Sequence, residues 1–237
     1  MTTLVALATI AFSSAQTTSI ENYVQSDLQD ATLVAQIVKG DQRELLKINK
    51  DFGNSYRFST SSVYFKEPFK MRAEAHVDET SVVYIINGTR LWIKLPNFNS
   101  KQDLSNHPGR RQSLMDVGIL TPSLFTTFLD AKFIRNDRET GNVVFDLTYK
   151  PGSTDTDSSR YRVWIDKSKK YVTKREWYNQ WGRQLATFTY MNPVEVSGVW
   201  LPTRMEVKNA DNVVAGVTKY DSFKVNTGLK DSLFEAK

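Results

Sequence analysis

The chain contains no cysteine among its 237 residues. This absence excludes disulfide bonds, thiolate metal sites and a cysteine nucleophile, and it also excludes a lipid-modified N-terminal cysteine. If the protein is exported, a chain without disulfides fits a bacterial periplasm better than a eukaryotic secretory route.

Histidine is nearly as scarce, with only His76 and His107 in the sequence. His76 falls on the polar face of a predicted strand, and His107 precedes a proline in a polar stretch. Metal sites in proteins usually draw on more histidine or cysteine than this, so no metal site is predicted. Asp155 and Asp157 lack the surrounding motif of a calcium loop and are interpreted as part of a solvated loop.

Signatures of catalysis are also missing. No serine lies in a nucleophile elbow, and no glycine-rich loop is placed to cradle phosphate. The carboxylates are scattered without a distinctive pair. We therefore predict no catalytic residue and no cofactor, and we expect the protein not to be an enzyme.

Long hydrophobic runs are absent except for a short one, Leu4 to Phe12. It is too short to span a bilayer, and the small residues Ser13-Ser14-Ala15 follow it. Residues 1–15 are therefore interpreted as a signal peptide cleaved before Gln16, which predicts a periplasmic protein with no transmembrane segment. The alternative is a disordered or packed N-terminal segment.

The overall composition is that of a folded soluble protein, with 40% hydrophobic and 24% charged residues. The formal charge of +5 favours an anionic partner surface without naming one. Lysines and arginines between Lys167 and Arg175 lie near Tyr171 and Trp177, which suggests a platform for single-stranded nucleic acid. Single-stranded nucleic acid is scarce outside the cytoplasm, so for an exported protein no nucleic acid is predicted as a partner.

The stretch from Arg160 to Val225 consists of short alternating segments, each closed by a turn signal. The breaks fall at residues 167–170, 179–182, 192–193 and 209–212. This pattern is typical of an antiparallel meander. A long meander twists and curls, so it should form a curved sheet with a concave face that can hold a ligand.

Upstream of this meander, period-two alternation over Phe69 to Val77 predicts a half-buried strand. Asn87-Gly88 between two apolar runs predicts a hairpin with a type I′ turn, and Asn142 to Lys150 predicts a further strand. Ala31 to Lys47 has helix-like spacing, with Gly40 ending one helix and Asp41 capping the next, so a helical N-terminal arm is expected.

Between the two halves of the sheet the pattern changes. Residues 97–111 are polar and read as a loop, and residues 112–117 form a short helix candidate. Thr121-Pro122 is a helix start, and an apolar face then runs to Leu129. This helix is expected to cover the concave face as a lid. Residues 153–159 are predicted to be a flexible loop, and Leu229 to Phe234 a terminal turn on the sheet.

Several segments, in their order along the chain, resemble the LolA-like periplasmic lipoprotein carriers of the outer-membrane sorting pathway. The resemblance covers most of residues 16–237, which we interpret as a single domain. The segments that carry it are Phe65 to Arg72, Asn87 to Ile93 with Pro96, Val163 to Lys167 with Arg175, Glu176 and Gly182, and Gly198 to Thr203.

The resemblance implies an α+β fold, mostly antiparallel β: a half-open β-barrel with a helical N-terminal arm and a helical lid over the concave face. It also implies a carrier that takes acyl chains of a lipoprotein or lipid from a membrane donor protein to an acceptor, working as a monomer. The expected acyl-binding residues are Phe65, Phe69, Met71 and Trp92 on the sheet and Leu124, Phe125, Phe128 and Leu129 on the lid.

One position departs from the family pattern. The proteobacterial carriers have an arginine just before the strand proline, where it ties lid to barrel, and here that position is Glu67. Glu67 and Arg72 are the candidate polar tethers. Two alternative functions remain open at this point: a periplasmic sensor or adaptor that binds a regulatory protein with the same sheet, and a hydrolase.

Overall fold

The structure is a computed structural model that describes residues 18–77, 80–107, 109, 111–150 and 159–236. The predicted signal peptide, residues 1–15, lies outside these ranges, as does the predicted loop at 153–158. Within the described ranges, no helix has the length and apolar character needed to cross a membrane.

The described residues form thirteen strands in one antiparallel sheet. The strands are β1 (Asp30–Gly40), β2 (Thr60–Lys66), β3 (Lys70–Val77), β4 (Thr80–Asn87), β5 (Arg90–Leu95), β6 (Phe98–Asp103), β7 (Leu129–Asn136), β8 (Val143–Tyr149), β9 (Arg160–Ile165), β10 (Val172–Tyr178), β11 (Gln184–Val196), β12 (Val199–Asn209) and β13 (Val214–Val225). Strand β1 pairs with both β2 and β13, and β6 and β7 are the two ends of the sheet. The open, mostly antiparallel sheet is the fold class that the sequence predicts.

Three short α-helices accompany the sheet in the described ranges. They are α1 (Gln42–Ile48), α2 (Lys50–Ser55) and α3 (Pro122–Thr127). A 3-10 turn at Asp231–Phe234 contacts β3 and β4, and the Phe234 side chain is fully buried there. This agrees with the terminal turn expected at Leu229 to Phe234.

The predicted helical arm is wrong in its first half, because residues 30–40 form strand β1 rather than a helix. Leu33 and Ile37 are four residues apart, a spacing that fits a helical turn and also two full periods of a strand. Ala31 and Leu33 are buried and Ala35 and Ile37 pack against the core, so every second side chain faces the core, as in a strand. In the second half, the Asp41 side chain accepts hydrogen bonds at the start of α1, where the sequence predicts a helix cap.

The predicted meander is present from β9 to β13, but its break at Asn192-Pro193 is wrong. Strand β11 continues through both residues, and Pro193 pairs with Pro202 of β12. Asn192 adopts a φ of 52°, and its carbonyl oxygen accepts a hydrogen bond of 2.8 Å from Thr203 Oγ1. The turn instead falls at Ser197-Gly198, where both residues have positive φ.

Two details of the first half also differ from expectation. The β4–β5 hairpin is present, but its central residues are Gly88 and Thr89, and of these Gly88 is the one with positive φ, so the turn is not type I′. Residues 98–103, predicted as loop, form strand β6, which is mostly exposed. As an end strand it pairs on one side only, so it does not need the apolar pattern of an interior strand.

The segment between β6 and α3 packs into the hydrophobic core against the sheet. Its buried hydrophobic residues are Leu104, Leu114, Met115, Val117, Ile119 and Leu120. Backbone hydrogen bonds join it to other parts of the chain: Gln25 N donates to Leu120 O, Val172 N donates to Gly118 O, and Leu104 N donates to Thr89 O. This segment is therefore part of the core rather than an open loop.

Candidate functional site

A cleft lies where the β2–β3 turn, helix α3 and the segment before Met115 meet. It is lined by Phe69, Ile86, Arg111, Gln112, Ser113, Met115, Leu124, Phe128, Leu129 and Tyr149. It holds about 390 Å³ of space free of atoms, some of it open solvent, and it continues beside Glu67 into a second cleft of about 260 Å³. One wall, at residues 111–113, is polar, and most of the rest is apolar.

Two aromatic rings from distant parts of the chain meet across this cleft. The ring centroids of Phe69 and Phe128 are 4.3 Å apart in an edge-to-face arrangement. Phe69 has a φ of 55°, a conformation that bulky residues rarely adopt and that often marks a functional site. The guanidinium of Arg111 lies over the Phe128 ring, 4.1 Å from its centroid. These contacts join the sheet to α3.

Glu67 makes a second connection between the sheet and α3. Its carboxylate accepts a hydrogen bond of 3.0 Å from Thr121 Oγ1 and another from Ser123 Oγ, at the start of the helix. Its backbone N–H donates to Gln29 O at 2.9 Å. Burial raises the pKa of Glu67 above its ordinary value, although the two hydroxyl groups oppose the shift. Glu67 is thus in contact with the helix expected to be the lid.

We expect replacement of Glu67 by glutamine to remove a pH dependence of stability. A carboxyl whose pKa is raised in the folded protein binds its proton more tightly there than in the unfolded chain. The free energy of unfolding of the wild type should therefore fall as the pH rises from about 4.5 through the raised pKa of Glu67. Denaturant unfolding between pH 4.5 and 7.5 measures this difference between wild type and variant. Parallel stability curves for the two proteins would contradict the assignment.

On the sheet side, strand register decides which predicted residues face the cleft. Phe65, Met71, Ile86 and Leu91 are paired across β2 to β5 and belong to the buried core. Trp92 follows Leu91 and so lies on the opposite face of the sheet. Lys101, its partner on β6, also places its ammonium 5.8 Å from the Trp92 ring centroid. Phe65, Phe69 and Met71 are on or near the site, and Trp92 is not.

Arg72 is on the same outer face as Trp92, since it pairs with Ile85, the partner of Trp92. Its guanidinium bonds to Glu74 at 2.6 Å and to Leu233 O at 3.1 Å. Arg72 therefore contacts the C-terminal turn.

On the lid side, the helix is shorter than predicted, because α3 ends at Thr127 and Leu129 begins β7. Leu124, Phe128 and Leu129 line the main cleft. Phe125 is 8% exposed and packs in the core, and it does not line either cleft. The predicted lid residues thus divide between the cleft and the core.

Sequence reasoning missed the residues that hold the floor of the site. Asp116 accepts a hydrogen bond of 3.0 Å from Arg175, a buried arginine on β10, and the buried Tyr190 hydroxyl donates to the Met115 and Asp116 carbonyl oxygens. A local signal existed, since Ser113 and Asp116 form a capping box. The sequence pattern did not indicate that Arg175 of β10 and Tyr190 of β11 bind this segment.

With Phe69 against Phe128, the main cleft is closed to a long acyl chain, because its volume of about 390 Å³ already includes open solvent. An acyl chain fits only if side chains at its mouth move. Phe128 is the only half-buried apolar residue of the α3 side that lines it, so it is the residue best placed to move.

Solved structures of other proteins share this fold. A LolA superfamily protein from Nitrosomonas europaea is 19% identical, with a TM-score of 0.63 over 91% of this chain and 94% of that one. A putative outer membrane lipoprotein-sorting protein domain from Vibrio parahaemolyticus is 15% identical, with a TM-score of 0.60 over 91% and 92%. A DUF1329 family protein from Desulfovibrio piger is 18% identical, with a TM-score of 0.57 over 88% and 90%.

The protein therefore has a LolA-like fold, which is the fold that the resemblance of its sequence segments predicts. A family model described as "Uncharacterized protein" matches residues 62–237, most of the chain, and the chain belongs to that family. No curated protein matches it by sequence.

Proposed function

We propose that this protein is a carrier that binds the acyl chains of a lipoprotein or lipid in the cleft and transfers them toward the outer membrane. The observation that carries the proposal is the contact between Phe69 and Phe128 across the mouth of an apolar cleft. The two rings come from separate elements, so α3 can act as a movable lid while the sheet stays intact. Binding, rather than catalysis, is the proposed activity.

The closed cleft supports a carrier because it limits affinity. Burying an acyl chain is worth about 0.8 kcal/mol per CH₂, so a long chain in an open, preformed cavity would gain roughly 10 kcal/mol. Opening this cleft first separates Phe69 from Phe128 and the hydroxyl groups of Thr121 and Ser123 from Glu67. Those costs are subtracted from the gain, which leaves an affinity low enough for release to an acceptor.

The cellular setting belongs to the same proposal. Residues 1–15 would direct export to the periplasm, and residues 16–237 would act there as a monomeric lipid-binding domain. Membrane donor and acceptor proteins would be its partners. Mass spectrometry of organic extracts from gently purified protein would identify the ligand, while a stable protein partner and no lipid would instead favour an adaptor.

Replacing Phe128 by serine is expected to weaken binding of a fluorescent fatty-acyl probe about tenfold, since the acyl chain loses contact with a phenyl ring. Fluorescence titration measures the change. Phe98→Ser is the matched control, because Phe98 lies on end strand β6 with its side chain 58% exposed.

Equal affinity in Phe128→Ser and wild type would remove Phe128 from the binding surface. Thermal unfolding should accompany the titration to show that both variants remain folded. Phe125 is not a suitable target for this test, since a serine at that buried position would disturb the core itself.

A further inference from the structure

Arg111 is a cation with unused hydrogen-bonding groups in the wall of the main cleft. Its Nη2 donates to Leu104 O at 3.1 Å, and its guanidinium covers the Phe128 ring. Its Nε and Nη1 are buried and have no hydrogen-bond partner among the described residues.

Unpaired N–H groups on a buried charge are costly, and native proteins rarely leave them so. Burial lowers the pKa of Arg111 from its ordinary value, yet an arginine stays protonated at neutral pH, so the charge persists. Arg175, which is buried and also has an unpaired Nε, differs because its Nη1 is paired with Asp116 at 3.0 Å. Arg111 is half-buried and lines the cleft, and Asp103 and Tyr149 act on its charge at longer range.

The cleft lining is polar at the Arg111 end and mostly apolar elsewhere. Gln112 and Ser113 follow it along the same wall, while Ile86, Leu124 and Leu129 line the rest of the cleft. Glu67, Lys66 and Lys70 line the adjoining cleft, but there the Glu67 carboxylate accepts from two hydroxyl groups and both ammonium groups are paired with Asp231. An anionic group is therefore favoured at the Arg111 end of the cleft.

We infer that the ligand is an amphiphile with an anionic headgroup, a carboxylate or a phosphate, that pairs with the guanidinium of Arg111 while its chain inserts between Phe69 and Phe128. The inference rests on the proposed acyl-binding function and adds the class of headgroup. It also gives Arg111 two alternating partners: the Phe128 ring in the closed cleft and the headgroup in the loaded one.

The test compares ligands with one tail and different heads. The neutral fluorophore N-phenyl-1-naphthylamine reports occupancy of the cleft, and hexadecanoate, hexadecyl phosphate and hexadecanol compete with it. The wild type should bind at least one of the two anions about tenfold more tightly than the alcohol, as expected for a charge-assisted hydrogen bond in a buried site. The comparison between the two anions tells carboxylate from phosphate.

Arg111→Gln should remove this preference, so that the two anions and hexadecanol compete equally well. Arg111→Lys should retain part of the preference, because it keeps the charge without the planar donors. Arg183→Gln is the matched control: it makes the same charge change at an exposed residue of the β10–β11 turn.

Hexadecanol competing as well as both anions in the wild type would overturn the inference. Equal weakening of all three ligands by Arg111→Gln would also overturn it, since Arg111 would then act on packing alone. Failure of every ligand to displace the fluorophore would instead contradict the proposed function, so the two failures are distinguishable.

Discussion

Replacing Gly118 by alanine is expected to lower the free energy of unfolding by about 3 kcal/mol. Gly118 has a φ of +83°, a conformation that costs an L-residue about 1 kcal/mol or more. A Cβ added there would also lie 2.9 Å from Cδ1 and 3.0 Å from Cγ of Tyr190. Tyr190 is fully buried, so its ring has little room to retreat.

Gly141→Ala separates the two causes. Gly141 has a φ of +73°, but an added Cβ would have no atom within 4 Å, so this variant has the backbone cost alone. Denaturant unfolding of both variants should show the larger loss at Gly118. Equal losses would show that the Tyr190 ring adapts and that the close approach has no energetic consequence.

The expected effect at Gly118 bears on the cleft as well as on stability. Gly118 O accepts from Val172 N at 2.8 Å, and the Tyr190 hydroxyl donates to the carbonyl oxygens of Met115 and Asp116. Met115, just upstream, lines the cleft floor. A shift of this segment would therefore change the site without a direct change in α3.

The parts of the fold that the sequence predicts are those set by local contacts. Period-two alternation over β3 reflects apolar and polar side chains on opposite faces of the sheet, and turn residues follow each strand of the second half. These patterns depend only on residues close in sequence, so they can be recognised without knowledge of the fold. The prediction for residues 30–40 failed because the spacing of their apolar residues fits both a helix and a strand.

The site was harder to predict because its contacts are long-range. Arg111 looks like part of a polar loop until Phe128 and Leu104 are placed beside it. Trp92 lies within a mostly apolar run, Leu91 to Leu95, in which sequence alone does not tell the inner face from the outer one. Glu67 departed from the family's arginine, yet it contacts α3 through neutral hydroxyl groups, for which an acidic residue serves as acceptor.

Joining α3 covalently to the β2–β3 turn is expected to abolish uptake of a fluorescent fatty-acyl probe. The chain has no cysteine, so a pair introduced as Glu67→Cys and Ser123→Cys would be the only thiols present. These two side chains touch in the closed protein, and a short thiol cross-linker such as dibromobimane can link them there. The link would hold Phe128 against Phe69 and keep the mouth of the cleft shut.

The order of addition makes the experiment specific to a moving lid. Linker added before the probe should prevent uptake, whereas linker added after the probe should trap it and slow its release. Each single-cysteine variant treated with the same reagent controls for modification alone. The unlinked double variant should take up probe at least as readily as the wild type, because it lacks the bonds between Glu67 and α3. Uptake that continues at the same rate after linking would show that α3 is not the element that opens the cleft.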